Sequence, residues 1–170
     1  MFRCTKKVQE ALGLKERDLY VGAEHGSGDL REWYSNLVIF DRRKCLVFTH
    51  AVTLYSFMVP GVKKADFARF GEVFRSALKA SLGAEGFSAR ERERLVGNET
   101  DIFGKATDRG VLGSMNDHVR TLGIHIDYEG GLDRVRAEEL NHYLNETPMS
   151  RIGMQHSTLV LKTILRTEVA

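Results

Sequence analysis

Two continuous apolar runs stand out in the pattern of hydrophobic and polar positions along the chain. They cover 36–40 and 45–49, and the polar tetrad 41–44 separates them. Apolar runs of strand length joined by a short polar segment are typical of a β-hairpin. Because both faces of each run are apolar, we expect the hairpin at 36–49 to lie centrally in a sheet that is covered on both sides.

Shorter segments predict further strands. They are 2–5, 53–59 before Pro60-Gly61, 100–106, and 124–128, where apolar and polar residues alternate. Alternation with a period of two is typical of a half-buried strand. The glycine-rich segment 22–32 is predicted to be a loop.

A helical pattern follows the third strand. Its apolar residues recur at spacings of three and four, which predicts an amphipathic helix over 64–82; they are Phe67, Phe70, Phe74, Leu78 and Leu82. Other helices are predicted at 7–12, at 88–96, from Ser114 to about Leu122, between Gly131 and Thr147, and at 157–167.

The order of these elements defines the predicted fold class. Strands and helices are intermixed around a central hairpin, which favours an α+β fold with a mainly antiparallel sheet packed by amphipathic helices. The chain has 170 residues and no repeat or obvious linker. We therefore expect a single domain over 1–170, with an extra C-terminal helix at 157–167.

Composition narrows the class of protein. Hydrophobic residues make up 42% and charged residues 28%, which is typical of a globular chain and not of a disordered one. The net charge of +2 permits an anionic partner without requiring one. The N-terminus has no signal-peptide pattern, and no apolar run is long enough to span a membrane. A cytoplasmic protein without a membrane partner is the expectation.

The cysteines and histidines form no recognisable metal pattern. Cys4 and Cys45 belong to no Cys-x-x-Cys pair, and reduced, buried thiols are the expected state; a disulfide would require the two to lie on neighbouring strands. His125 and Asp127 would share a face of the predicted strand 124–128, but the six histidines are otherwise scattered. No metal site and no cofactor is predicted.

Several blocks of the sequence are together similar to those of a known family. They are 3–7, 33–37, 41–45, 59–62, 107–117 and 144–149. From about residue 2 to about residue 150 the chain resembles a bacterial and archaeal family known only as a domain of unknown function, and the block 107–117 is the most specific. The resemblance implies a prokaryotic or phage-related source and implies no activity.

The segment 107–117 is the first candidate site. A loop bounded by glycines that leads into a helix N-terminus presents backbone N–H groups to an anion, and Arg109, Ser114 and Asn116 would add donors. The structural alternative is that Ser114 caps the helix and Asp117 completes a capping box. Asp117 would also disfavour a phosphate at that end.

Basic and aromatic residues supply the other candidates. Arg42, Arg43 and Lys44 at the predicted hairpin tip, with Lys6 and Lys7, are candidate contacts for phosphates, although a solvated turn explains the same charges. Trp33 and Tyr34 are candidates to stack on a base or anchor a partner, although aromatic residues before a strand more often cover the core.

Three hypotheses on function follow. The favoured one is a non-enzymatic module that binds protein or nucleic acid, because no catalytic pattern is recognisable. The alternative is an enzyme acting on a phosphate-bearing substrate at the 107–117 loop and helix start, with Arg109, Ser114, Asn116 and Asp117 as its candidate binding residues. The third is a subunit that self-associates through an exposed apolar strip on the helix 64–82.

Overall fold

A five-stranded mixed sheet lies at the centre of the structure, a computed structural model that describes residues 1–22, 30–96 and 100–167. Its strands are β1 (Phe2–Cys4), β2 (Trp33–Phe40), β3 (Arg43–His50), β4 (Ser56–Val59) and β5 (Phe103–Lys105), in the order β4-β3-β2-β1-β5. The pairs β2/β3 and β3/β4 are antiparallel, whereas β1 is parallel to both β2 and β5.

Helices surround this sheet. They are α1 (Lys6–Leu12), α2 (Lys64–Ala68), α3 (Phe70–Ala84), α4 (Ala89–Val96), α5 (Arg109–Tyr128), α6 (Ala137–Asn145) and α7 (Ser157–Thr167), with 3-10 turns at Glu16–Asp18, Leu132–Arg134 and Ser150–Ile152. The predicted α+β class and mostly antiparallel sheet are confirmed. Most of the predicted loop 22–32, residues 23–29, lies outside the described residues. Within the described ranges, every helix is too short or too polar to cross a membrane.

The predicted hairpin is confirmed, with a tighter tip. The turn contains only Asp41 and Arg42, and β3 already begins at Arg43, which pairs with Phe40. Both turn residues have positive φ, 47° and 61°. This is the pattern of a type I′ turn, whose twist matches that of the flanking strands. The four-residue turn predicted at 41–44 is therefore too long, because Arg43 and Lys44 belong to β3.

Both faces of β3 are buried from Cys45 to His50, as predicted, whereas Ile39 near the tip of β2 is 66% exposed. Along β3, Leu46 and Phe48 face one apolar cluster while Cys45 and Val47 face another, because successive strand residues point to opposite faces. The first cluster receives buried residues from α1, α3, α4 and α7, and the second from α5 and α6. The sheet is thus the middle layer of three.

The helix predicted over 64–82 is two helices. The backbone leaves the helical region at Arg69 (φ −123°, ψ 36°), so α2 ends and α3 begins around that residue. Phe70, Phe74, Leu78 and Leu82 are buried in the first apolar cluster. The hypothesis of an exposed apolar strip on this helix is wrong, because the strip packs on the chain's own sheet.

The outer side of β4 is covered by two asparagines of α6. Asn141 Oδ1 accepts from the backbone N–H of Met58, and Asn145 Oδ1 accepts from that of Ser56, both at 2.8 Å. Asn145 Nδ2 donates to the carbonyl of Ser56 at 2.8 Å. These side chains satisfy backbone groups that a neighbouring strand would otherwise pair.

One uninterrupted helix, α5, replaces a predicted helix and a predicted strand. The predicted helix start at Ser114, helix end at Gly123 and strand at 124–128 are all wrong. The N-cap is Asp108, whose carboxylate accepts from the backbone N–H groups of Gly110 and Val111. The alternation at 124–128 arises because Ile126 lies one turn after Leu122 on the buried face.

Candidate functional site

The segment 107–117 forms the first part of α5 and offers no loop beside Ser114. The Ser114 side chain lies inside the helix and faces the sheet, and the residue is 8% exposed. Arg109, Asn116 and Asp117 lie exposed on the outer face, where Asp117 pairs with Arg120. The predicted anion site therefore lacks the glycine-bounded loop on which it was based.

At the N-terminus of α5, a carboxylate of the same chain already binds the free backbone N–H groups. Asp108 caps the helix and forms an ion pair with Arg151. Partial burial raises the pKa of Asp108, but the N–H donors of Val111 and Gly110 and the charge of Arg151 outweigh it and lower the pKa below its ordinary value. The carboxylate thus occupies the position that a phosphate would take.

Trp33 and Tyr34 are core residues, each 1% exposed. The Trp33 ring packs edge-on against Phe57 and Phe74, with centroids at 5.7 and 5.3 Å. The Tyr34 hydroxyl accepts from the backbone N–H of Asp108 at 3.3 Å. Neither ring has an exposed face for a base, so the alternative that they cover the core agrees with the structure.

The two cysteine thiols are buried, and their environment does not favour the nucleophilic thiolate form. Cys4 lies on β1 and Cys45 on β3, with β2 between them, and both are free. They also belong to apolar clusters on opposite faces of the sheet. Burial raises the pKa of the Cys4 thiol to about 11 and also raises that of Cys45. The neutral thiol is a poor nucleophile and a poor metal ligand.

The five basic candidates lie on two sides of the sheet. Arg42 is at the hairpin tip, and Arg43 faces the side that α5 covers. Lys44 follows Arg43 in β3 and therefore points to the opposite side. Lys6 and Lys7 are exposed on α1, which packs on that opposite side. Arg42 and Arg43 line one groove, which contains none of the three lysines.

A groove of about 770 Å³ opens between the hairpin tip and the segment that follows α5. We call it the hairpin-tip groove; it is lined by Asp41, Arg42, Arg43, Gly130, Gly131, Asp133 and Arg134. Its walls are joined by two interactions across the gap. The Asp41 carboxylate accepts from the backbone N–H of Leu132, and Arg43 pairs with Asp133 at 2.5 Å.

Glycine is required where the two walls meet. Gly131 has a φ of 120°, and a Cβ there would lie 3.0 Å from Asp41 Oδ2. Only a residue without a side chain fits this conformation and this close approach. Within the described ranges, Arg42 and Arg134 form no ion pair, so both guanidinium groups of the groove are available to an anion.

An exposed aromatic patch lies close to the groove along the chain. A shallow depression of about 380 Å³ is lined by Thr121, Ile124, His125, Tyr128 and Tyr143. Tyr128 is 85% exposed and Ile124 is 65% exposed, while the His125 ring stacks on Tyr143 with centroids 4.8 Å apart. Tyr128 precedes Gly130 by two residues, so the patch and the groove are close along the chain at the end of α5.

A third group of polar residues lies at the far end of α6. Ligand atoms of Glu85, His142 and Glu146 all lie within 4.8 Å of one another. Sequence reasoning missed this group because Glu85 is far from the other two along the chain. The spacing of four between His142 and Glu146, which places both on one helix face, was the available signal.

Residues 1–158 match the family described as Domain of unknown function (DUF6933). The chain belongs to this family. The resemblance stated from the sequence blocks is confirmed, and the match runs slightly past the end that they indicated. A comparison with curated proteins finds no match. Both walls of the hairpin-tip groove, the aromatic patch and the Glu85 group lie within the DUF6933 region, whereas nearly all of α7 lies beyond it.

Proposed function

We propose that this DUF6933 chain is a non-enzymatic binding module whose partner is single-stranded nucleic acid, held in the hairpin-tip groove. The observation that carries the proposal is the groove lined by Arg42 and Arg134, with the 85% exposed ring of Tyr128 close to it along the chain. Proteins that bind single strands combine a positively charged groove for the backbone with aromatic rings for the bases.

The electrostatics of the groove support an anionic partner. Its lining holds three guanidinium groups and two carboxylates, which is a net charge of +1. The carboxylates are engaged within the chain, Asp41 by the Leu132 N–H and Asp133 by Arg43. Arg42 and Arg134 are left to contact phosphates, and Arg side chains suit bidentate contacts of this kind.

The groove is also held in place before any partner arrives. The type I′ turn fixes the direction of Arg42, and the two interactions between the walls fix the turn at 130–134 against it. A site whose groups are already positioned loses less conformational entropy on binding.

Ile124 favours a second candidate, a protein partner docked on the aromatic patch. This side chain is exposed and apolar, and it offers a base no stacking surface. Tyrosine and exposed aliphatic residues are common in protein interfaces. The nucleic-acid proposal is preferred because the neighbouring groove is polar and cationic, and the experiment below separates the two.

The test is fluorescence anisotropy of a labelled oligo-deoxythymidine 20-mer titrated with the protein between 50 and 200 mM salt. We expect the Arg42→Gln/Arg134→Gln variant to bind at least about tenfold more weakly. The slope of log affinity against log salt should become shallower by about 1.4, since each phosphate contact to a single strand contributes about 0.7.

The matched control is the Lys64→Gln/Arg90→Gln variant, which removes the same charge from exposed positions on α2 and α4. It should bind within about twofold of the wild type. Tyr128→Ser should weaken binding about tenfold if the ring stacks on a base. Equal losses in both double variants would contradict a groove-specific site, and unchanged binding by Tyr128→Ser would favour a protein partner for the patch.

A further inference from the structure

We propose that Glu85, His142 and Glu146 form a binding site for a divalent transition-metal ion, with His156 as a fourth ligand. This proposal does not depend on nucleic-acid binding, because the site lies at the opposite end of α6 from the turn at 130–134. The ion would join three parts of the chain, namely the end of α3, the end of α6 and the segment before α7.

The distances between donor atoms suit a small cation. His142 Nδ1 lies 3.2 Å from Glu85 Oε1, and all three ligand atoms lie within 4.8 Å of one another. Ligand atoms bound tetrahedrally to Zn²⁺ at about 2.0–2.1 Å are roughly 3.3 Å apart. The pair of His142 and Glu85 therefore already has the required separation. Rotation of the Glu146 side chain would bring its carboxylate oxygen to a similar distance from the other two ligand atoms.

Burial of Glu85 provides an independent argument. Its side chain is 7% exposed, whereas that of His142 is 65% exposed. Within the described residues, His142 Nδ1 is the one hydrogen-bond partner of this carboxylate. This carboxylate is shielded from water and has a single imidazole as its partner, so its remaining lone pairs are available to a bound cation. The nearby Lys162 ammonium donates instead to the Glu85 backbone oxygen at 2.9 Å.

His156 contributes an unused nitrogen beside the group. Its Nδ1 is buried and forms no hydrogen bond within the described ranges, although it lies 3.5 Å from Glu146 Oε2. The side chain as a whole is 43% exposed, but this nitrogen is buried, and a carboxylate oxygen at 3.5 Å satisfies it poorly. It lies outside the three ligand atoms that fall within 4.8 Å of one another, so it would move toward the ion to complete a set of two nitrogen and two oxygen donors.

The helix that carries two of the ligands is fixed in register. Asn141 and Asn145, each next to a ligand in sequence, are bonded to the backbone of β4. His142 and Glu146 lie one turn apart on the adjacent face of α6, about 100° around the helix from the asparagines, next to Glu85 and His156. A mixed imidazole and carboxylate set favours Zn²⁺, Co²⁺ or Ni²⁺ over Mg²⁺ and Ca²⁺, which prefer oxygen ligands alone.

The test uses the tag-free full chain, titrated with ZnCl₂ by isothermal calorimetry and followed by thermal unfolding. We expect one Zn²⁺ per chain and a Tm raised by about 5 °C at a hundredfold excess over Kd. Addition of Co²⁺ should give visible absorption bands of a tetrahedral site. His142→Ala should weaken Zn²⁺ binding at least about thirtyfold and remove the absorption bands.

His125→Ala is the matched control, because it removes a histidine from α5 outside the group. It should bind Zn²⁺ as the wild type does. Glu146→Gln removes a proposed carboxylate ligand and should weaken Zn²⁺ binding. Its matched control is Glu138→Gln, which removes a carboxylate of α6 outside the group and should leave Zn²⁺ binding unchanged. No heat and no change in Tm with the wild type would overturn the proposal, as would equal losses in His142→Ala and His125→Ala.

Discussion

His118 lies on the inner face of α5, where its imidazole is buried against the sheet. Its Nδ1 is 2.8 Å from Ser56 Oγ, and that hydroxyl directs its single proton to Leu54 O at 2.9 Å. Burial lowers the pKa of His118 from 6.5 to about 4.

This depressed pKa predicts a loss of stability in acid. Between pH 6.5 and 4 the unfolded chain binds a proton at His118 that the folded chain does not, so stability falls as the pH falls. From pH 7 to 4.5 the wild type should lose about 2 kcal/mol more free energy of unfolding than His118→Gln. Urea unfolding at the two pH values measures this difference.

The wild type and His118→Gln contain the same carboxylates. Protonation of these groups therefore lowers the free energy of unfolding equally in both proteins and cancels in the comparison. Parallel pH dependences for the wild type and His118→Gln would show that the imidazole is protonated as readily in the folded chain as in the unfolded one.

At the scale of elements, the contact between α6 and β4 depends on Asn145. Its amide bonds the N–H and the C=O of Ser56 and the carbonyl of Asn141, all at 2.8 Å. Asn145→Ala would leave two buried backbone groups of β4 without partners. Since each such group costs 1–3 kcal/mol, we expect a loss of about 3 kcal/mol.

Chemical denaturation measures this loss, with Asn116→Ala as the control. Asn116 is exposed on the outer face of α5, and alanine is the better helix former, so its replacement should leave stability unchanged or slightly raised. A change below about 1 kcal/mol in Asn145→Ala would mean that water or a backbone shift satisfies Ser56.

Elements with a continuous apolar pattern could be predicted from the sequence, and those defined by caps could not. The hairpin was predictable because burial on both faces requires apolar residues at every position. The boundaries of α5 were not, because Ser114-x-x-Asp117 matches a capping box but lies inside a helix. The actual cap at Asp108 was overlooked, and Gly110, Gly113 and Gly123 are tolerated within the helix.

The candidate site, too, could be predicted from the sequence only in part. The basic hairpin tip follows from local sequence, but its opposite wall is supplied by residues about 90 positions later. Asp41 contacts Leu132 and Arg43 contacts Asp133 only because α5 returns along the sheet. Glu85 and His142 meet for a similar reason, since α3 and α6 both pack near β4. Contacts of this kind depend on tertiary structure and leave little local signal.

For the molecule as a whole, α7 completes a core that begins in the N-terminal strand. Leu161 and Leu165 are buried in the same cluster as Phe2 and Phe48, although they lie past the end of the DUF6933 match. Arg94 of α4 also donates to the Leu165 carbonyl at 2.8 Å. This helix is therefore part of the folding unit that surrounds the sheet.

Leu161→Ala should consequently destabilise the whole chain by about 3 kcal/mol, because it leaves a cavity in the first apolar cluster. Leu159→Ala is the matched control in the same helix, since Leu159 is 54% exposed and should cost less than about 1 kcal/mol. Thermal unfolding of the two variants checks the difference. Equal effects would indicate that α7 frays away from the core.

The covered outer side of β4 restricts how a partner can attach to this molecule. A peptide that joined the sheet as a sixth strand would have to displace Asn141 and Asn145, which already hold the N–H groups of that edge. At the opposite edge, the Tyr20 N–H donates to the carbonyl of Phe103 in β5 at 2.7 Å. A partner that attached to this molecule would therefore have to recognise side chains, because addition of a strand is hindered at both edges of the sheet.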